Sequence, residues 1–442
     1  MTDFFDKHVS KLSDNNKIAP EFYKKYNVKT GLRNENGTGV LVGLSQVSSV
    51  VGYEVVKGVK IPTKGSLYYR GYEINDLVNG FQKDKRHGFE ETIYLILFGE
   101  LPTDNELSEF CRILGSYRDL PESFVENMIL KNPSSNVMNK LQRSVLVLYS
   151  FDDAPEDISV ENILNQSLRL IARFPTIVAY GYQAMRHYFK HKSLVIHQPD
   201  EDLSTAEYLL YLVRSNKKFT EKEAEVLDLC MLLHADHGGN NSSFATHVVA
   251  SSGTDTYSAI ATAIGSLKGS KHGGANLYVR GMVDAIKAEC DYTQPDKLKE
   301  YLKKILDKQA YNKTGLIYGI GHAVYTLSDP RAEILRTKAY ELACEKDKLE
   351  EYNLYHNIEL LSKEIILESK GLEVCANVDL YSGFIYSMLN IPKELYTAIF
   401  AISRLAGWVA HRVEQLVSDD KIIRPAYKFV LPKSDYQDIE NR

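Results

Sequence analysis

The sequence predicts a mainly all-α protein with one small β region near residues 50–72. Three observations support this fold class. Apolar residues recur at helical spacing along most of the chain. Several of these segments follow a Ser or Thr that has Glu three residues later, which is the sequence form of a helix capping box. β-branched and tyrosine-rich runs gather around Lys57-Gly58 and Lys64-Gly65, and they read as strands.

The length of 442 residues exceeds one ordinary compact core, so we expect either two domains or one large helical assembly. The first 45 residues are polar and irregular, and they predict an arm or a short helix. Glycine clusters at 269–274 and 315–321 are candidate hinges that divide off a segment of domain size.

Capping boxes at Thr103–Glu106, Ser204–Glu207 and Thr220–Glu223 each precede a helically spaced apolar segment. They predict three helix starts.

Prolines predict further helix boundaries. Pro175 should break or kink the helix around it, because proline lacks the backbone donor. Asp329-Pro330 predicts an N-cap and a first helical position, opening a helix through about Glu345. Pro392 similarly predicts the start of a long C-terminal helix.

Composition excludes several classes of function. The formal net charge is -5, with acidic and basic residues mixed, which disfavours a nucleic-acid-binding protein. No apolar run is long enough to cross a bilayer, and the N-terminus resembles neither a signal nor a transit peptide, so we expect a cytoplasmic protein. The cysteines are widely spaced and predict reduced thiols: Cys111, Cys230, Cys290, Cys344 and Cys375.

Two histidines stand beside glycines. Residues 269–276 read Gly-Ser-Lys-His-Gly-Gly-Ala-Asn, and His322 ends the turn Gly-Ile-Gly-His. Glycine supplies no packing surface, so these bends suit close approach of a ligand to an imidazole. His272 and His322 together indicate proton chemistry on a bound small molecule.

His234 and His237 lie in Leu-Leu-His-Ala-Asp-His-Gly-Gly-Asn. Their spacing predicts that both rings share one helix face, with His237 in the last turn. A cationic helix C-cap and a ligand site are equally favoured at this point. A metal site that included Asp236 would need further converging ligands, which the sequence does not supply nearby.

Charged residues complete the candidate site. Arg331 follows Pro330 and could hold a carboxylate at a helix N-terminus. Arg404 interrupts an apolar stretch, and Arg424 is extended because proline follows it. Asp379 is more often an N-cap in such a position than a catalytic base. The residues alone therefore predict an acid/base enzyme that acts on a polycarboxylate.

The chain resembles the citrate synthases. The matching pieces are HADHGGNNSSFATHVVASS, YSAIATAIGSLKGSKHGGAN, GIGHAVYTLSDPRAE, NVDLYSG, SRLAGWVAHRVEQ and IIRP, with GSLYYRGYEINDLV and FEETIYLILFGELPTDNEL upstream. They run in the family's order from about residue 65 to 425.

The resemblance implies a two-domain helical fold and a homodimer. Under this reading, 1–45 is an N-terminal arm, 46–273 plus 384–442 is the large domain, and 274–383 is the small domain. The small domain would close over oxaloacetate and complete the acetyl-CoA site.

The resemblance also implies residue roles. Asp379 would take a proton from the methyl group of acetyl-CoA while His272 hydrogen-bonds the thioester oxygen. His322 would polarise the oxaloacetate carbonyl. The implied oxaloacetate-binding residues are His237, His322, Arg331, Arg404 and Arg424, the last from the partner subunit.

The chain departs from the family pattern in places. Ser270 and Lys271 replace the common Pro-Leu before the first catalytic histidine, and Thr326 and Ala426 stand where basic residues are frequent. The CoA phosphate contacts are therefore left unassigned.

The resemblance implies citrate formation in the tricarboxylic acid cycle, with no cofactor and no bound metal. The nearest alternative is 2-methylcitrate synthase, which uses propionyl-CoA. Two further alternatives are a metal-dependent hydrolase built on His234, Asp236 and His237, and a helical scaffold without catalysis.

Overall fold

The computed structural model describes residues 2–418 and 421–442. Helices dominate it, as predicted. Their bounds are α1 Thr2–Asn15, α2 Pro20–Lys25, α3 Ile74–Lys83, α4 Phe89–Phe98, α5 Asp104–Ser116, α6 Val137–Leu148, α7 Val160–Lys190, α8 Thr205–Val213, α9 Glu221–His234, α10 Asn241–Ala250, α11 Thr256–Leu267, α12 Ala275–Glu289, α13 Pro295–Leu306, α14 Pro330–Glu345, α15 Leu349–Lys370, α16 Val378–Met388 and α17 Tyr396–Ser418. None of the helices in these ranges is long and apolar enough to span a bilayer.

The predicted β region is a small sheet. Its strands are β1 (Ser48–Val56), β2 (Val59–Tyr69) and β3 (Tyr72–Glu73), in the order β1-β2-β3. β2 and β3 pair antiparallel, with Tyr69 opposite Tyr72. This confirms the strand prediction for residues 50–72 to within a few residues.

The chain divides into two compact units. One comprises residues 1–44, 55–60 and 424–442, and the other comprises 45–54 and 61–423. The first contains α1 and α2, so the predicted arm is partly helical. The second contains the hydrophobic core and the histidines of the candidate site, His234, His237, His272 and His322.

Helix α17 lies in the centre of the larger unit. All its residues from Tyr396 to Arg412 are buried, and it packs against α4, α7, α9, α10 and α11. A helix that is apolar on every side is expected at such a position. The polar side chains that it carries, Arg404 and His411 among them, are therefore held within the protein.

The capping predictions are confirmed. Thr103, Ser204 and Thr220 each accept a hydrogen bond from the backbone of the Glu three residues on, whose side chain returns to the cap. Asp329 caps α14, whose first residue is Pro330.

The proline predictions are corrected in part. Helix α7 continues through Pro175, so the predicted break is wrong; the buried neighbours of Pro175 offset the one backbone hydrogen bond that proline removes. Pro392 stands before a short 3₁₀ turn, Lys393–Leu395, and α17 begins at Tyr396.

Candidate active site

The position of His322 is fixed by backbone pairing between the segment just before it, 319–321, and the segment 375–377. Ile320 bridges Ala376 antiparallel, and the Asn377 amide donates to the Gly319 carbonyl at 2.9 Å. Gly319 has φ +85, and an added Cβ would lie 3.1 Å from the Leu380 Cα, so glycine is required here. This pairing places His322 beside the start of α16.

Hydrogen bonds define the tautomer of His322. Its Nδ1 accepts the backbone amides of Val324 and Tyr325, both at 3.1 Å. An imidazole nitrogen that accepts carries no proton, so a neutral His322 ring carries it on Nε2. The ring therefore offers a donor to the cavity that it lines.

His272 lies in the turn between α11 and α12. The Gly273 amide donates to the Leu267 carbonyl at 3.0 Å, and a Cβ on Gly273 would approach the Leu267 side chain to 2.6 Å. A glycine at this position therefore allows the turn to close tightly.

The far nitrogen of His272 contacts Ser242. Its Nε2 lies 2.9 Å from the Ser242 hydroxyl and accepts the Ser242 amide at 3.4 Å. The Trp408 indole donates to the same hydroxyl at 3.0 Å, which holds it in place. Because Nε2 accepts, the neutral ring carries its proton on Nδ1. Burial and the charge of Arg404 lower the pKa of His272 to about 4, so the ring is neutral at pH 7.

Asp379 is the second residue of α16, and Asn377 is the N-cap. The expectation that Asp379 caps the helix is therefore wrong: the Asn377 side chain accepts the Asp379 amide at 3.1 Å. Burial raises the pKa of Asp379 to about 6, against the lowering effect of Arg331. A carboxylate with a pKa of about 6 is a competent base near neutral pH.

His237 follows the end of α9, which stops at His234. The prediction that both rings share one helix face is wrong, since the chain leaves the helix between them. The His237 ring contacts that of His322 edge to face at 5.1 Å, and its Nε2 lies 3.3 Å from the Tyr325 hydroxyl. Burial and Arg331 lower the pKa of His237, so it is neutral.

His234 has a different environment. Its Nδ1 lies 2.7 Å from the Cys230 carbonyl, and its ring packs on Phe400 in the core. Burial lowers the pKa of His234 to about 3, which removes the cationic C-cap interpretation. Asp236 instead contacts Ser48 and His411. The proposed metal ligands His234, Asp236 and His237 therefore do not converge.

Two arginines supply positive charge. Arg331 is buried and holds Asp329 through two hydrogen bonds, Nε to Oδ1 at 3.0 Å and Nη2 to Oδ2 at 2.7 Å. Arg404 is also buried and donates from Nε to the His234 carbonyl at 2.7 Å. Arg404 forms no ion pair with any carboxylate in the described ranges, which leaves its charge for an anionic ligand.

One cavity of about 150 Å³ collects these groups. Its lining includes six predicted residues: His237, His272, His322, Arg331, Asp379 and Arg404. Three larger cavities lie among the described residues: one of about 470 Å³ contains a single histidine, and those of about 350 and 480 Å³ contain none. Arg424 does not line the small cavity and is exposed.

Sequence reasoning missed four lining residues, Asn240, Asn377, Val378 and Phe400. Asn240 caps α10 and Asn377 caps α16, so an Asn before each helical segment was a usable signal. Phe400 carries the Arg404 guanidinium 4.8 Å above its ring, a contact that helical spacing of four residues permits.

The geometry can perform acid/base chemistry on an anion. His272 and His322 present ring N–H groups, Asp379 presents a base, and the buried arginines provide positive charge. No metal is needed for these roles.

Comparison with known proteins gives consistent matches. Residues 36–426 match the family described as "Citrate synthase, C-terminal domain". A citrate synthase of Haloferax volcanii is 34% identical over 410 residues, covering 91% of this chain and 97% of that protein. A 2-methylcitrate synthase of Shewanella oneidensis is 31% identical, covering 82% and 88%.

A solved structure is also similar. It is the ternary complex of carboxymethyl coenzyme A and oxaloacetate with citrate synthase from Thermoplasma acidophilum. The TM-score is 0.76 at 25% identity, with 93% of this chain and 99% of that chain covered.

Proposed function

The chain belongs to the citrate synthase family of acyltransferase-type condensing enzymes, and on that premise we propose that it condenses acetyl-CoA with oxaloacetate and water to give citrate and CoA. The observation that carries this proposal is the single cavity in which His272, His322 and Asp379 meet.

Oxaloacetate binds first. Its carboxylates pair with Arg404 and Arg331, and its ketone oxygen accepts from His322 Nε2. The cavity of about 150 Å³ is well below the roughly 300 Å³ of pockets for drug-sized ligands, which suits a small oxoacid. His237 is neutral and adds a hydrogen bond without adding charge.

Enolisation follows at the thioester. Asp379 removes a methyl proton from acetyl-CoA, and the thioester oxygen accepts a hydrogen bond from His272 Nδ1. A neutral imidazole stabilises the developing enolate without having to lose its own proton at pH 7. The acid form of Asp379 then holds the abstracted proton.

Carbon–carbon bond formation completes the condensation. The enolate carbon attacks the ketone carbon of oxaloacetate, and the ketone oxygen takes the proton of His322. Water then hydrolyses the citryl thioester, breaking the carbon–sulfur bond and releasing citrate and CoA. The proton that Asp379 took from the methyl group passes through solvent to His322, so both residues regain their starting states. The hydrolytic water gives its oxygen to the new carboxyl group of citrate and a proton to the CoA thiol.

We place the domain boundaries at the predicted glycine turns, with 274–383 closing onto the rest. His322 and Asp379 belong to this segment, whereas Arg404 lies outside it, so closure would bring the base to the bound oxoacid. Closure before the thioester reacts would exclude water from the enolate.

In a homodimer, the partner subunit would supply further positive charge for the carboxylates of oxaloacetate. The cavity is lined by two buried arginines and by Asp379, and Arg331 is already paired with Asp329 outside the lining, so a dicarboxylate lacks a full complement of positive charge. Arg424 from the partner subunit would provide it. The adjoining tail exposes large apolar side chains, with Tyr427 at 93% and Phe429 at 72%, which suits a covered surface.

The test is release of free thiol at fixed oxaloacetate. We expect acetyl-CoA to react much faster than propionyl-CoA. The reverse ratio would make the protein a 2-methylcitrate synthase with the same mechanism, an alternative that the Shewanella relative keeps open. The extra methyl group of propionyl-CoA changes the binding free energy by only about 1–3 kcal/mol. The sequence motifs therefore do not decide which of the two acyl-CoA substrates is preferred.

Full activity after exhaustive chelation is expected, and loss of activity would instead support the metal-dependent hydrolase. No thiol release with either acyl-CoA would support the scaffold interpretation.

A further inference from the structure

A second polar cluster lies between α10 and α17, outside the cavity described above. It contains His247 from α10 together with His411 and Glu414 from α17. One ligand atom from each side chain lies within 4.8 Å of the others. The proposed mechanism gives none of these residues a role.

Each histidine has one ring nitrogen that points away from the cluster and makes a hydrogen bond to a neighbouring side chain. His247 Nδ1 lies 3.0 Å from the amide oxygen of Gln415, and His411 Nε2 lies 3.2 Å from the carboxylate of Asp236. Both oxygens can only accept, so these two nitrogens carry the ring protons. In the neutral rings the inner nitrogens, His247 Nε2 and His411 Nδ1, therefore present lone pairs.

These lone pairs face one another. His247 Nε2 and His411 Nδ1 are 3.2 Å apart. Glu414 Oε2 lies 3.7 Å from the same His411 nitrogen; it is buried and makes no hydrogen bond to the described residues. At most one proton, on His411 Nδ1, can lie between these three atoms, and it leaves Glu414 Oε2 without a donor, whereas one divalent cation could bind all three.

We propose that His247, His411 and Glu414 form a binding site for a divalent transition-metal ion, with zinc preferred. Two imidazoles and one carboxylate are a common protein ligand set for zinc. Zinc bonds of about 2.0–2.1 Å in tetrahedral geometry separate neighbouring ligands by about 3.3 Å. The observed separations of 3.2 and 3.7 Å bracket this value, and a small rotation of Glu414 closes the third side.

The surroundings match those of a metal centre. Metal-bound histidines usually donate their other nitrogen to a carboxylate or carbonyl oxygen, and both histidines here do so. Glu414 is oriented through its other oxygen, which accepts the Gln46 amide at 2.6 Å. His247 is only half-buried, which gives an ion a path of entry.

A proton is the competing occupant. Burial lowers the pKa of His411, but Asp236 and Glu414 more than offset this and raise it to about 9. A proton on His411 Nδ1 would bond one acceptor and leave Glu414 Oε2 unsatisfied, whereas a metal ion bonds all three. The site is independent of the proposed function, and it departs from the sequence-based expectation that no metal is bound.

The test measures zinc on the full-length protein. Protein freed of metal by chelation is mixed with zinc at a pH of about 8, desalted and assayed for bound metal by mass spectrometry. We expect one ion per chain in the wild type, and at least a 100-fold weaker affinity in His247→Ala and in Glu414→Gln. His187→Ala, which removes an exposed imidazole elsewhere, should bind as the wild type does.

Cobalt serves as the second readout, because it reports its ligands by absorption. A visible d–d spectrum without thiolate charge transfer, absent in His247→Ala, supports the site. Thiolate charge transfer would instead place the ion on a cysteine and overturn the proposal. So would a wild type that retains no zinc, or a His247→Ala variant that retains as much as the wild type.

Discussion

Replacing Asp379 with asparagine should slow the reaction and stabilise the fold at the same time. Burial raises the pKa of Asp379 from 3.8 to about 6, an effect that Arg331 only partly opposes. A shift of about two units corresponds to roughly 3 kcal/mol of unfavourable free energy for the ionised carboxylate in the folded state. Asparagine has nearly the same shape and no charge, so the variant avoids most of this cost.

The sign of the pH dependence follows from the direction of the shift. Because the folded pKa lies above the unfolded value, the cost is absent below about pH 3.8, grows as the pH rises to about 6, and is full above that. Denaturant unfolding of the wild type and Asp379→Asn should therefore coincide near pH 4 and differ by up to about 3 kcal/mol near pH 7.5. Thiol release by the variant should fall by about 10²–10⁴-fold.

Asp296 supplies the matched control. It also lies in the first turn of a helix, α13, but is exposed. Asp296→Asn should leave thiol release unchanged and cost a few tenths of a kcal/mol through the helix dipole. An Asp379→Asn variant that is less stable than the wild type near pH 7.5, or as active, would refute the assignment of Asp379 as a buried base.

Three other substitutions test the supporting structure. Ser242→Ala removes the contact that orients His272, so kcat should fall about 10–100-fold while oxaloacetate affinity, measured by calorimetry, is unchanged; weakened affinity would contradict a purely orienting role. Arg404→Gln should raise the KM for oxaloacetate about 10–100-fold in steady-state kinetics, and an unchanged KM would exclude it from binding. Gly273→Ala should lower the free energy of unfolding by about 1–3 kcal/mol, whereas Gly80→Ala, which meets nothing within 4 Å, should not lower it; equal effects would reject the tight turn.

Local features were predictable because their causes lie within a few residues. A capping box needs only a hydroxyl and a carboxylate three positions apart, and all three proposed boxes form. The N-cap at Asp329 is confirmed for the same reason. Asn377 was missed as a cap since two neighbouring residues, Asn377 and Asp379, could both have served.

Tertiary packing overrode local rules elsewhere. Pro175 disfavours a continuous helix, yet the surrounding core keeps α7 intact. The spacing of His234 and His237 predicts one shared face, but the backbone leaves the helix between them, and one ring enters the core while the other enters the cavity. No pattern in the sequence between His234 and His237 predicts that one ring lies in the core and the other lines the cavity.

Long-range contacts could not be read from the sequence. The Trp408 indole bonds Ser242 across 166 positions, and His411 meets His247 across 164. Resemblance to the family identified His272, His322 and Asp379 as candidate catalytic residues, and all three line one cavity in the structure. The tautomers and the raised pKa of Asp379 depend on the folded surroundings alone.

The most direct test of condensation compares thiol release from acetyl-CoA with and without oxaloacetate, using ordinary and methyl-deuterated acetyl-CoA. The proposed mechanism predicts thiol release that requires oxaloacetate and is slower with the deuterated methyl group, since Asp379 must remove a proton or deuteron from that group. Equal release without oxaloacetate, with no effect of deuterium, would mean simple thioester hydrolysis and would contradict the proposed mechanism.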